Sequence, residues 1–209
     1  MIELENLLKH YPELECCRQS LINAVDMLCK AFREGHKLLL IGNGGSAADC
    51  EHIVGELQKN FKIVHKRNEN FDKLFLQYYP HDEELLSKLT PAIPVISLVS
   101  GVSINTALIN DTGADVLYAQ RAYALCQKGD VLLGISTSGN SELVISAMKV
   151  AKTLGCNNIA LTGSGGGKMG AYADILIDVP EKQTYRVQEL HLPVYHFLCA
   201  QIEHELFGN

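Results

Sequence analysis

His52 and Glu56 stand four residues apart in the run IGNGGSAADCEHIVGE, which spans Ile41 to Glu56. Side chains at that spacing share one face of a helix. An imidazole beside a carboxylate can act as an acid/base pair or bind a metal, although the same spacing also suits a solvated helix face. The residues just before the pair narrow the reading. Leu38 to Ile41 is an apolar run too short for a helix and reads as a buried strand. Gly42, Asn43, Gly44 and Gly45 then form a turn, and Ser46 is suited to cap a helix that opens with Ala47, Ala48 and Asp49. A strand, a glycine turn and a helix start together predict an anion site. Glycines let the backbone approach closely, while free N–H groups and the helix dipole favour negative charge.

A second turn of this kind follows. Val131 to Ile135 reads as a strand and leads into Ser136, Thr137, Ser138, Gly139, Asn140 and Ser141, with a helix from Ser141 to about Leu154. Four hydroxyls and several N–H groups at a helix start, with no charged side chain, suit an oxyanion. The same residues also serve as a capping turn rich in serine and threonine. Gly42, Gly44 and Ala47 fit the dinucleotide pattern G-x-G-x-x-A as well. However, the next strand, Ile93 to Leu98, runs into Val99, Ser100 and Gly101 and lacks the acidic residue that would hold a ribose. A phosphate ester is the better match.

The last helix, from about Thr184 to Leu206, carries Gln188, His191 and His196. Gln188 and His196 are eight residues apart, about 2.2 turns, so they roughly share a face. Pro193 lies between them and is expected to kink the helix.

These groups need a scaffold. Strands are expected at Leu38–Ile41, Ile93–Leu98, Val131–Ile135, Asn158–Thr162 and Asp174–Val179. Helical segments are expected at about Leu14–Glu34, Ser46–Lys59, Asp82–Leu89, Ser103–Ile109, Ala114–Gln127 and Ser141–Leu154, with a helical turn at Lys168–Tyr172. The alternation predicts an α/β fold: one five-stranded parallel sheet in the doubly wound order two-one-three-four-five, helices on both faces, and additional helices at both chain ends. Both turns then lie at strand C-termini, where ligands bind in such sheets. The terminal helices exceed what one sheet can cover and are expected to pack against other subunits. The stretch from Phe61 to Pro91 interleaves aromatic and basic residues and reads as an insertion folded against its own domain or a partner subunit.

Bulk properties exclude several classes. The 209 residues suffice for one domain, and 47% apolar with 20% charged residues is ordinary for a globular chain. A net charge of −6 with scattered basic residues gives no footprint for nucleic acid. There is no apolar run of membrane-spanning length and no export signal at the N-terminus, which points to the cytoplasm. Seven cysteines without a C-x-x-C pair argue against a disulfide framework or a zinc ribbon. Cys50 sits near a helix start, where a thiol can be activated, but most of the cysteines read as buried filler.

Taken together, GNGGSAAD, EHIVGEL, GDVLLGISTSGNS and TYRVQELHLPVYH resemble the sedoheptulose 7-phosphate isomerases, or phosphoheptose isomerases, of the sugar isomerase (SIS) domain superfamily. The resemblance implies a single SIS domain over residues 1–209, with an insertion at roughly 62–91. It implies interconversion of sedoheptulose 7-phosphate and D-glycero-D-manno-heptose 7-phosphate through an enediol, a step toward heptose for lipopolysaccharide or capsule. It makes Glu56 the base and His196 the proton donor or its partner. Asn43, Gly44, Gly45, Ser46, Glu56, Asn110, Asp111, Ser136, Thr137, Ser138, Ser141 and Gln188 are the implied substrate contacts. His52, Glu56, Gln188 and His196 are the implied ligands of one zinc ion per subunit, with His191 a rival. The implied assembly is a homotetramer with sites at subunit boundaries. Two features depart from the family pattern: the length of the 62–91 segment, and Lys59 and Asn60 where relatives often carry arginine. Some close relatives resemble a second type, a non-catalytic tetrameric SIS protein that binds the replication initiator DnaA.

Overall fold

The computed structural model describes residues 1–208; Asn209, counted in the expected domain, lies outside the described residues. The helices are α1 (Ile2–His10), α2 (Arg18–Arg33), α3 (Gly45–Leu57), α4 (Glu69–Tyr78), α5 (Glu83–Lys88), α6 (Val102–Asp111), α7 (Leu117–Leu125), α8 (Glu142–Thr153) and α9 (Thr184–Phe207). The strands are β1 (Leu38–Gly42), β2 (Val95–Ser97), β3 (Val131–Ser136), β4 (Asn157–Thr162) and β5 (Ile175–Asp178). Short 3₁₀ turns at Pro12–Cys17, Ala114–Val116 and Gly167–Tyr172 join them. Every strand pair is parallel, and the order is β2-β1-β3-β4-β5, as expected.

All five residues of β1 and all six of β3 are buried. Strand side chains alternate between faces, so each strand feeds two cores. Leu38, Leu40, Val131 and Leu133 join one core with residues of α1, α2, α3 and α9. Leu39, Ile41 and Leu132 join the other with residues of α7 and α8. This double burial explains the unbroken apolar runs in the sequence.

The terminal helices pack on their own chain: α1 buries Leu4, Leu7 and Leu8, and α9 buries twelve of its residues. Pro193 does not end α9, which remains one helix of 24 residues. The helix α4 lies in a stretch where no helix was expected. Asn68 caps it by accepting from Asn70 N–H, and Arg67 pairs with Asp72, yet it buries no residue. Among the described residues no helix is long and apolar enough to cross a membrane.

Candidate active site

The glycine turn sits at the C-terminal end of β1. Gly44 has φ of 56°, a left-handed value that glycine adopts without strain, and the helix opens at Gly45. Ser46 is therefore not the cap. It is buried inside the first turn, and the turn closes through backbone bonds from Ser46 N–H to Asn43 O and from Ala47 N–H to Gly44 O. At Gly42 a Cβ would stand 2.6 Å from the Ser46 carbonyl oxygen, so no larger residue fits that bend.

The hydroxyl-rich turn at the end of β3 faces this one. Asn43 donates its amide to Ser141 Oγ at 2.8 Å, joining the two turns. Between them lies a cleft of about 270 Å³, lined by Asn43, Gly45, Ser46, Ile135, Ser136, Thr137, Ser141, Thr184 and Gln188. Ser138 is occupied differently: its hydroxyl accepts from Asn140 N–H, so it caps its own loop. Asn110 and Asp111 form the exposed end of α6. They hydrogen-bond to each other and do not line the cleft of a single chain. Their helix continues past the expected stop at Ile109 to Asp111, and Gly113, with φ of 124°, follows just beyond its end.

Beyond the cleft, α3 and α9 cross and bring the chemical groups together. His196 Nε2 lies 3.4 Å from His52 Nε2. Glu56 Oε1 lies 3.3 Å from the same His52 nitrogen, and Lys59 donates to Glu56 Oε2 at 2.6 Å. Partial burial opposes ionisation of Glu56. The Lys59 hydrogen bond and charge outweigh it and hold the carboxyl below its usual range. Burial, reinforced by the neighbouring His52, pushes the His196 imidazole down and favours its neutral form.

Two ligands of a tetrahedral zinc, each about 2.0–2.1 Å from the metal, stand roughly 3.3–3.4 Å apart. The His52–His196 and His52–Glu56 separations match that edge length. Among the described residues, however, no group of three or more His, Cys, Asp and Glu side chains is gathered for a metal. The Gln188 amide sits in the adjoining cleft, packed against Gly45. His191, the rival, is fully buried with neither ring nitrogen well hydrogen-bonded.

The sequence reading did not single out Asp49 or Tyr195. Tyr195 is buried; its hydroxyl donates to Asp49 Oδ1 at 3.2 Å and lies 3.1 Å from His52 Nδ1. These partners are distant in sequence, so no local pattern betrays them. Cys50 is fully buried, and burial pushes its thiol up, so it is inert filler.

Comparison with known proteins shows the family. Residues 85–163 match the SIS domain family. The chain is 38% identical to a phosphoheptose isomerase from Aliarcobacter butzleri, covering 92% of this chain and 89% of the relative. It is 38% identical to one from Aquifex aeolicus, covering 91% and 86%. The solved phosphoheptose isomerase GmhA from Neisseria gonorrhoeae superposes with a TM-score of 0.71 at 31% identity, covering 95% of this chain and 97% of that one. A phosphoheptose isomerase from Francisella tularensis gives 0.69 at 27% identity, covering 98% and 100%. With relatives at this identity along nearly its full length, the chain belongs to the phosphoheptose isomerase family of SIS-domain enzymes.

Proposed function

We propose that this enzyme interconverts sedoheptulose 7-phosphate and D-glycero-D-manno-heptose 7-phosphate. The observation that carries the reading is the meeting of α9 with α3: it sets His196 and His52 beside Glu56, next to a cleft built from two anion-favouring turns. The cleft suits the phosphate. Neutral hydroxyls of Ser136, Thr137 and Ser141, with Asn43 and the Gly44–Gly45 backbone, can donate to its oxygens.

Aldose–ketose exchange moves a proton between C1 and C2 through an enediol, so it needs a base and an acid flanking those carbons. Glu56 fits the base, because its carboxyl is kept ionised. His196 serves as the proton donor or its partner, and Gln188 reaches the sugar from the cleft side. His52, Glu56, Gln188 and His196 would hold zinc, one ion per subunit; when bound it would polarise the sugar oxygens. Glu56 would be a weaker base while it held the metal than when free of it.

A homotetramer fits the surface. Neither α4 nor α6 buries a residue in the single chain, and Phe71, Leu74, Val102 and Ile104 stand exposed. Assembly would also let Asn110 and Asp111 reach a site from a neighbouring subunit. The free thiols among the described cysteines fit a reducing cytoplasm.

The test is incubation with sedoheptulose 7-phosphate, with and without a chelator, watching for the aldose. Aldose formation that chelation stops and zinc restores supports the reading. No aldose under either condition rejects the substrate, and chelator-insensitive turnover rejects the metal.

A further inference from the structure

Tyr195 has one hydroxyl hydrogen and two neighbours that compete for it: Asp49 Oδ1 at 3.2 Å and His52 Nδ1 at 3.1 Å. A carboxylate can only accept, whereas an imidazole nitrogen can do either. Asp49 is also short of donors, since its Oδ2 is buried without a hydrogen-bond partner. The hydrogen therefore goes to Asp49. Glu56 Oε1 is also near His52, 3.3 Å from Nε2, but that contact is not a hydrogen bond, whereas Nδ1 and the tyrosine oxygen are hydrogen-bonded at 3.1 Å, so the oxygen accepts from His52.

We propose that Tyr195 is a positioning residue: it donates to Asp49 and accepts from His52 Nδ1–H, fixing the tautomer in which a bare Nε2 faces His196 and Glu56. A proton on one ring nitrogen leaves the lone pair on the other. That lone pair lies 3.3 Å from a Glu56 oxygen and 3.4 Å from His196 Nε2. With no hydrogen between the nitrogen and the carboxylate, the pocket presents an electron-rich cluster to a cation or to an acidic hydrogen of the sugar. Tyr195 is only 1% exposed, so its ring is held by the core of α9 and carries that rigidity to the surface imidazole. Its action through His52 follows the pattern in which an outer partner sets the ring orientation of a ligating histidine.

This inference deepens the isomerase reading, but its test does not depend on turnover. Ring ¹⁵N spectra of the metal-free protein, assigned with His52→Asn, report which nitrogen of His52 carries hydrogen. The expected result is Nδ1–H in the wild type. The Nε2–H form should grow in Tyr195→Phe, and likewise in Asp49→Asn, whose amide can donate to the tyrosine oxygen and free its hydrogen for His52 Nδ1. Calorimetric titration of zinc alone into the same proteins should show affinity weakened about 10–100-fold in Tyr195→Phe. An Nε2–H tautomer in the wild type overturns the proposal. So does a tautomer and zinc affinity unmoved in both folded variants. Failure of the sugar assay would leave either result standing, which separates this proposal from the assigned substrate.

Discussion

His196 and His52 face each other through their Nε2 atoms at 3.4 Å although 144 residues separate them in the chain. The parallel sheet makes this meeting possible. α3 follows the interior strand β1, which lies between β2 and β3, and α9 returns over the same face after β5. Their contact places Glu56 where it has a cation on one oxygen and an imidazole on the other.

Glu56→Gln tests the base directly. The amide keeps the shape but cannot take a proton, and loss of a general base costs on the order of 10²–10⁴ in rate. The phosphate cleft is formed by other residues, so sugar phosphate should still bind. The expected result is loss of aldose formation with calorimetric binding retained. Undiminished turnover rejects Glu56 as the base.

Gly45→Ala tests the position of Gln188. Gly45 has an ordinary φ and begins α3, so alanine suits the backbone there. Its methyl would overlap the Gln188 amide, which must swing away. Thermal stability should change little, while kcat/KM falls on the order of 10–100-fold, as displaced positioning groups do. An unchanged kcat/KM would show that Gln188 does not act from its present place.

Much of this architecture was legible in the sequence. Each strand is a short apolar run bounded by turn residues, and double burial makes that signal strong; the strand order followed from the βα alternation. The two turns were legible because glycines and hydroxyls at helix starts carry a mechanism. The helix α4 escaped because nothing covers it: Phe71, Phe75 and Tyr78 follow helical spacing, but with no buried side the stripe looked like an irregular insertion. Ser46 was misplaced because the left-handed Gly44 caps the helix two residues earlier. Tyr195 and Asp49 stayed hidden because their meaning lies in a contact across 146 residues.

Glu203→Ala tests what ties the 62–91 segment to the site. The buried Glu203 carboxylate accepts from the backbone N–H groups of Phe61, Lys62 and Ile63 and from His65 Nε2, while His65 Nδ1 donates to the Pro91 carbonyl. Phe61 in turn packs against His196, with ring centroids 5.8 Å apart. Removing the carboxylate orphans all those donors in the interior. Breaking a buried pair in this way costs about 3–5 kcal/mol. The urea midpoint should fall accordingly, and a loss below about 1 kcal/mol would mean that water replaces the carboxylate freely.

His191 sets a limit at acid pH. It is fully buried, and burial pushes its imidazole down to about 4 from an ordinary value near 6.5, although the Thr162 backbone lies beside it. A lowered histidine value means that the unfolded chain binds the proton more readily. The neutral ring's contribution to stability is therefore complete above pH 6.5 and declines as pH falls from there toward 4. A tenfold difference in proton affinity between the two states corresponds to about 1.4 kcal/mol, so the whole window is worth about 3 kcal/mol. In His191→Leu this site no longer titrates, and the stability profile between those limits should flatten relative to wild type. The cavity or packing cost of leucine moves the whole curve without changing its slope. Urea midpoints at several pH values across the window separate the two effects. Parallel curves for the variant and the wild type would show that His191 takes up its proton within the fold as readily as in the unfolded chain.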